Sequence, residues 1–248
     1  MRLEEERATA ESAAAGEAVK RQYVKQMFSD IAPRYDRVNR IISFRIDLWW
    51  RKQALAVLGV SREPGVRYLD LCAGTLDLSS AIQKTRGFQG YVAAADFAEP
   101  MLRAGEGKVS PKHVGPVNAD ALALPFREAS MFGAIVVFGI RNVIDLDGAL
   151  REVYRVLRPG GRFVILEFTT PRNWFVRTVY GFYFHHILPT IGNAVTHHKT
   201  AYNYLPQSVT HFPNEPQLAA RMKAAGFQDV SWQTLTFGVV AIHVGEKQ

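Results

Sequence analysis

From about Val66 onward the chain alternates short apolar runs with segments in which apolar residues recur every three or four positions. Runs of the first kind predict buried strands and those of the second amphipathic helices, so the alternation predicts an α/β fold with a mostly parallel sheet covered by helices. The predicted strands are VRYLDL (66–71), YVAAAD (91–96), VGPVNAD (114–120), FGAIVVFG (132–139) and RFVILEF (162–168). VSWQTLT and GVVAIHVG close the chain, separated by so little that a hairpin is expected. LSSAIQK, EPMLRAGEGK, residues 145–161 and PQLAARMKAAGF read as helices between them. In 145–161, Leu146, Ala149, Leu150, Val153, Val156 and Leu157 share one face, and Pro159-Gly160-Gly161 is expected to stop the helix.

Two segments fall outside this rhythm. Residues 23–60 look helical and precede the first strand, and 171–212 form an aromatic-rich insertion after the fifth. We expect both to cap a single domain spanning 23–248, because ligands of open α/β sheets sit at the carboxyl ends of the strands. Residues 1–22 are acidic and alanine-rich, lack the basic start and apolar core of a signal peptide, and read as a flexible extension of a cytoplasmic protein.

Composition narrows the classes. With 48% apolar residues in 248, the chain can bury a substantial core. Its apolar runs are far shorter than the roughly 20 residues that span a bilayer. The lone Cys72 excludes an internal disulfide and a cysteine-based zinc cluster, and reads as a small core residue. The adjacent pairs His185-His186 and His197-His198 face different ways on a helix or strand, so no metal site is expected. The net charge of +7 is scattered, without the basic tract that nucleic acid would favour, and leaves attraction to an anionic membrane surface as its functional reading.

The candidate chemistry lies at strand ends. DLCAGTLD (70–77) is a loop between strand and helix, with Asp70 at the strand end, Gly74 and Thr75 in the turn and Asp77 opening the helix as a candidate N-cap. Asp96 ends the second strand, where a carboxylate can accept both ribose hydroxyls of a nucleoside. Asp120, with Ala121, follows the third and is placed to face an adenine edge. A phosphate-rich dinucleotide would require the full G-x-G-x-x-G fingerprint, which is absent. Three successive strand-end acids suit a cofactor bearing an amine, a ribose and an adenine: S-adenosylmethionine.

MFSDIAPRYDRVNRIISF, YLDLCAGTLDL, DALALPF, FGIRNVIDLDGALREVYRVLRPGGRFVILEF, YNYLPQS and LTFGVVAIHVG together resemble the signature segments of the ubiquinone/menaquinone biosynthesis C-methyltransferases, from about residue 25 to the C-terminus. The resemblance implies a class I methyltransferase fold, Rossmann-like, with a seven-stranded, mostly parallel sheet under a helical and aromatic cap. It also implies C-methylation of a prenylated hydroquinone, demethylmenaquinol before the benzoquinol of the ubiquinone route. The chain departs from the family pattern at Leu76, normally glycine, and at Val137, normally polar. Leu76 is expected to point into the core and leave the loop functional; a prenylquinone-binding protein with a degraded cofactor loop is the rival from another class.

By the same resemblance Arg141 and Asn142 stand on the substrate side of the pocket. An arginine is a poor literal base, so Arg141 is expected to hold a water and stabilise the developing phenolate while Asn142 orients a ring oxygen. The plain structural alternative pairs Arg141 with Asp145 or Asp147. Tyr35, Asp36 and Asn39 are expected to close over the cofactor or meet the substrate. Tyr202, Tyr204 and Ser208 match the Y-x-Y-L-x-x-S pattern, and any of them, or His197, is a candidate partner of the quinol hydroxyls. The aromatics from Trp174 to Phe184 are expected either to form a core layer or to line the mouth for an isoprenoid tail at a membrane surface. A homodimer or a quinone-pathway assembly is left open.

Overall fold

A computed structural model describes residues 20–188, 190 and 201–248. Seven strands form one sheet in the order β3-β2-β1-β4-β5-β7-β6. They are β1 (Arg67–Leu71), β2 (Tyr91–Asp96), β3 (Val114–Asn118), β4 (Met131–Val137), β5 (Leu157–Phe168), β6 (Gln228–Leu235) and β7 (Val240–Glu246). β1 to β5 run parallel, β7 is antiparallel to β5, and β6 closes the edge as the expected hairpin with β7. The order reverses between β1 and β4, and the crevice at that point is where such sheets take ligands.

Helices cover both faces. α1 (Lys20–Ile31), α2 (Tyr35–Ile42) and α3 (Ile46–Leu58) precede the sheet, and α4 (Asp77–Gln83) and α5 (Glu99–Gly105) follow β1 and β2. α6 (Leu146–Val156) leads into β5, and α7 (Trp174–Phe182), α8 (Ala201–Thr210) and α9 (Glu215–Ala224) come after it. On one face Trp50, Ala54 and Leu58 of α3 and Leu78 and Ile82 of α4 pack against Ile135 and Val164. On the other, Leu150 and Val153 of α6 and Leu218 and Met222 of α9 meet Ala134 and Phe163. β1 and β4 are therefore covered on both sides, which is why they read as continuous apolar runs.

A third core lies above the strand ends, where Val24, Met27, Ile31 and Val38 of the first cap segment pack with Phe184, Leu188, Tyr204 and Val209 of the second. Residues of 23–60 and of 171–212 thus pack together there, while α3 packs elsewhere. α3 belongs to the sheet's own helical layer, because Trp50, Ala54 and Leu58 recur at helical spacing and present one apolar face to it.

Boundaries differ at three places. α1 begins at Lys20, inside the stretch assigned to the extension; the rest of that stretch, residues 1–19, lies outside the described residues. α6 ends at Val156, before the expected Pro-Gly-Gly stop, because Leu157 turns extended and joins β5. Lys247 closes that helix end, donating from Nζ to the Tyr154 carbonyl at 2.8 Å. β3 stops at Asn118, and Asp120 lies beyond it in a turn bridged to Ala123.

Candidate active site

Two cavities open at the carboxyl end of the sheet. The first encloses about 790 Å³ including its mouth and is walled by Cys72, Gly74, Asp96, Asp120, Phe138 and Asn142, among others. The second, about 670 Å³, is walled by Trp50, Arg51, Phe138, Arg141, Phe168 and Tyr204, with Asn39 and Ile42. Phe28, Tyr35 and Phe138 border both, so the two cavities are neighbours that share three aromatic side chains.

Backbone geometry builds the first cavity. Cys72, Leu76 and Phe138 all hold positive φ, at 53°, 62° and 58°, a conformation costly for side chains with a Cβ and one that collects at functional sites. Gly139 lets the loops after β1 and β4 come together, since a Cβ there would fall 2.3 Å from that of Cys72. Leu76 points into the core, fully buried, as its position predicted. It also supplies the left-handed residue just before α4, so Asp77 is the first helical residue and not the N-cap, and its carboxylate is used elsewhere.

The strand-end acids separate into distinct environments. Asp96 accepts the Gly74 amide on Oδ2 and the Ala98 amide on Oδ1, both at 2.8 Å, and burial raises its proton affinity against these bonds. Asp120 borders the same cavity with Ala121 and pairs at 2.6 Å with Arg21 of α1. Asp70 does not wall the cavity. It is buried beneath the loop, accepts the Ser79 hydroxyl at 2.6 Å, and is pushed up to about 7 by desolvation.

Thr75 and Asp77 also stand outside the cavity walls and tie the loop to the cap. Thr75 donates to Asp36, Lys108 bridges Asp36 and Asp77, and Arg40 bridges Asp77 and Asp47. Neither Arg40 nor Lys108 was flagged by the sequence, because each serves carboxylates on other elements.

The turn after β4 places its two candidate residues on different sides. Asn142 borders the first cavity, with its side-chain oxygen buried and without a hydrogen-bond partner among the described residues. Arg141 borders the second. Its nearest carboxylate is neither Asp145, which caps α6, nor Asp147, which pairs with Arg221. Arg141 pairs instead with Glu167 near the end of β5, at 2.7 Å, and also donates to the Phe138 carbonyl at 2.6 Å and to Ser208 Oγ at 3.2 Å. Its guanidinium stands 5.5 Å from the Phe168 ring centroid, and Phe168 stacks on Phe138 at 4.5 Å.

Glu167 went unremarked in the sequence, although a lone acid in the apolar run RFVILEF was a usable signal. Tyr35, Asn39 and Tyr204 border the second cavity, while Ser208 reaches it only through Arg141. The Tyr202 side chain and His197 lie outside the described residues.

The ubiE/COQ5 methyltransferase family profile matches residues 17–247. The demethylmenaquinone methyltransferase of Thermus thermophilus is 46% identical over 223 residues, covering 89% of this chain and all of that protein. The ubiquinone/menaquinone biosynthesis C-methyltransferase of Geobacter sulfurreducens is 40% identical over 92% of this chain and 90% of its own length. Among solved structures, a S-adenosylmethionine-dependent methyltransferase of Thermotoga maritima superposes with a TM-score of 0.63 at 19% identity, covering 90% of this chain and 99% of that one. That likeness shows the class I methyltransferase fold. Taken with the matches along nearly the whole chain, it places this protein in the ubiE/COQ5 methyltransferase family.

Proposed function

We propose that this methyltransferase methylates a ring carbon of demethylmenaquinol, with S-adenosylmethionine in the first cavity and the quinol ring in the second. The observation that supports the reading is the pair of neighbouring cavities at the strand ends, which share Phe28, Tyr35 and Phe138 and so set a donor site beside an acceptor site. The cofactor is S-adenosylmethionine, which supplies an electrophilic methyl carbon on a sulfonium. The cavity fits it. Asp96 keeps carboxylate lone pairs for ribose hydroxyls, Asp120 and Ala121 border the cavity and are assigned to the adenine edge, and the Asn142 oxygen, without a hydrogen-bond partner among the described residues, is an acceptor for a polar ligand. Gly74 holds Asp96 in place, and Asp70, Thr75 and Asp77 brace the loop from behind.

The second cavity receives the ring between Phe138, Phe168 and Tyr204, with Tyr35 and Asn39 along one side and Arg141 at a polar end. Arg141 stabilises the phenolate that makes the ring carbon nucleophilic. Matches to methyltransferases over most of the chain do not favour the rival reading of a silent quinone-binding protein.

The prenyl tail requires a lipid-facing mouth, and we assign it to the segment beside the second cavity. Phe44 and Trp49 are exposed there, Phe44 rests 6.4 Å from the Tyr183 ring, and α7 beyond it exposes Trp174, Phe175 and Phe182. Arg37, Arg45 and Arg177 are exposed on the same elements, a combination suited to an anionic bilayer surface. Among the described residues no helix is long and apolar enough to cross a membrane, which agrees with docking from one side.

The test is methyl transfer from labelled S-adenosylmethionine to chemically reduced demethylmenaquinone under anaerobic conditions. Wild-type protein should label the quinol ring, and Arg141→Ala should lower kcat by at least a hundredfold while still binding cofactor. An unaffected Arg141→Ala enzyme would remove the proposed role of that residue.

A further inference from the structure

We propose that Arg51 of α3 binds the second oxygen of the quinol, the one para to the oxygen beside the methylated carbon, and so fixes which ring carbon meets the methyl donor. The inference rests on the quinol reading above and adds a contact for the oxygen that Arg141 does not serve.

Two arginines border the second cavity, Arg141 from the turn after β4 and Arg51 from α3. They stand over different rings of a stacked pair. Arg141 Cζ lies 5.5 Å from the Phe168 centroid and Arg51 Cζ 5.9 Å from that of Phe138, and the two centroids are 4.5 Å apart. Both charges act on Tyr35, which borders the same cavity, so their fields reach a common space. A phenol offers one oxygen to such groups, whereas a hydroquinone offers two, at opposite edges of its ring.

The two guanidinium groups are held very differently. Arg141 gives Nη1 to Glu167 and to the Phe138 carbonyl, and Nε to Ser208. Arg51 pairs with Asp47 at 3.5 Å, too long for a hydrogen bond of normal strength. Asp47 does not depend on it, because Oδ2 also pairs with Arg40 and Oδ1 accepts the Ser43 hydroxyl at 2.8 Å. The Arg51 side chain is only 14% exposed, and its Nε is buried with no hydrogen-bond partner among the described residues. Withdrawing a charged donor group from water without matching acceptors is costly, and a ligand that brings an acceptor relieves that cost.

Other polar groups on this wall are committed or weaker. Ser43 donates to Asp47, and Asn39 hydrogen-bonds Tyr35. The Tyr204 hydroxyl is buried without a hydrogen-bond partner among the described residues, but it is neutral and offers one donor where a guanidinium offers five. With an arginine at each oxygen the ring loses its freedom to turn in the cavity, and the same carbon meets the methyl donor in every encounter.

The experiment compares two ligands by anaerobic titration in the presence of S-adenosylhomocysteine. One is reduced demethylmenaquinone with a single prenyl unit; the other is 3-prenyl-1-naphthol, which lacks only the second oxygen. Wild type should bind the quinol at least tenfold more tightly, because a site shaped to hydrogen-bond a hydroxyl rejects the analogue without it. Arg51→Met should bind the two within about threefold of each other, with naphthol affinity within about threefold of wild type. Arg51→Lys, which keeps the charge but not the planar fork, should show an intermediate preference. Absence of a preference in wild type overturns the proposal. An Arg51→Met protein that keeps the preference does the same, as does one that loses both ligands equally, since that marks a structural role. Should Arg51→Met not fold, an undiminished preference in Arg51→Lys overturns it. A wild type that transfers no methyl group to the quinol overturns the quinol reading together with this one, whereas transfer without discrimination between the ligands overturns this one alone.

Discussion

Leu76 rests on Gly105. A Cβ at Gly105 would fall 2.8 Å from Leu76 Cγ and 2.3 Å from the Thr75 carbonyl oxygen, so α5 approaches the cofactor loop as closely as a bare backbone allows. Gly105→Ala should therefore push the loop outward, destabilising the fold by about 2 kcal/mol, typical of overpacking, and weakening S-adenosylmethionine binding at least fivefold. Urea unfolding and calorimetric titration check both effects; an unchanged Kd would show that this contact does not position the loop.

Leu76→Gly is expected to behave differently. It removes a fully buried side chain, a loss of about 2–5 kcal/mol for truncation to alanine. Against this it relieves a left-handed backbone that costs a leucine about 1–2 kcal/mol. The net result should be a fold less stable by about 2 kcal/mol with cofactor Kd within threefold, because the Leu76 side chain does not wall the cavity.

Asp70 gives a pH dependence of known sign. Its affinity for a proton is raised by burial, to a pKa of about 7 in the folded protein, against about 3.9 unfolded. The folded state therefore binds a proton that the unfolded state has lost, and this contribution is full below about pH 4 and disappears as pH rises to about 7. Asp70→Asn cannot ionise, so it should gain stability relative to wild type between pH 5 and 8. Urea midpoints at the two values measure the gain, expected to be on the order of 2 kcal/mol.

Lys108 is the hinge of the ion network that holds α2 to the cofactor loop. Burial pushes Asp77 up, but Lys108, followed by Arg51 and Arg40, brings its carboxyl below the ordinary value, so its contribution is present above about pH 4 and lost in acid. Lys108→Met should cost about 1 kcal/mol after screening at these half-buried sites and release the cap. Stopped-flow measurement should find S-adenosylmethionine leaving several-fold faster, with a weaker salt dependence than wild type.

The exposed aromatics make the membrane assignment measurable. Phe44→Ser with Trp174→Ser should reduce co-sedimentation with phosphatidylglycerol-containing vesicles at least fivefold while sparing turnover of a short-tailed quinol. Equal sedimentation of variant and wild type would remove this face as the docking surface.

Much of the architecture was legible because it is written at short range. Apolar alternation located all seven strands, and the acids at β1 and β2 stood at the sheet's carboxyl edge. The burial of Leu76 was readable too, since it follows a turn and directly precedes a helix whose early residues Leu78 and Ser79 face the core. What escaped were pairings between residues distant in sequence. Asp70 was read as a cavity acid, yet its carboxylate turns to Ser79 beneath the loop.

The chain by itself determined which segments become strands and helices and where the loops that carry chemistry fall, because periodicity and turn residues act over a few positions. Only the tertiary structure decided what those loops face. Parallel pairing of β4 with β5 sets Arg141 beside Glu167, 26 residues away, and the docking of the cap brings Asp36 to Lys108, 72 residues away. Neither pair has a local signature, because a carboxylate and a cation separated by whole elements meet only when strand order and helix packing bring them together, and burial then determines their protonation.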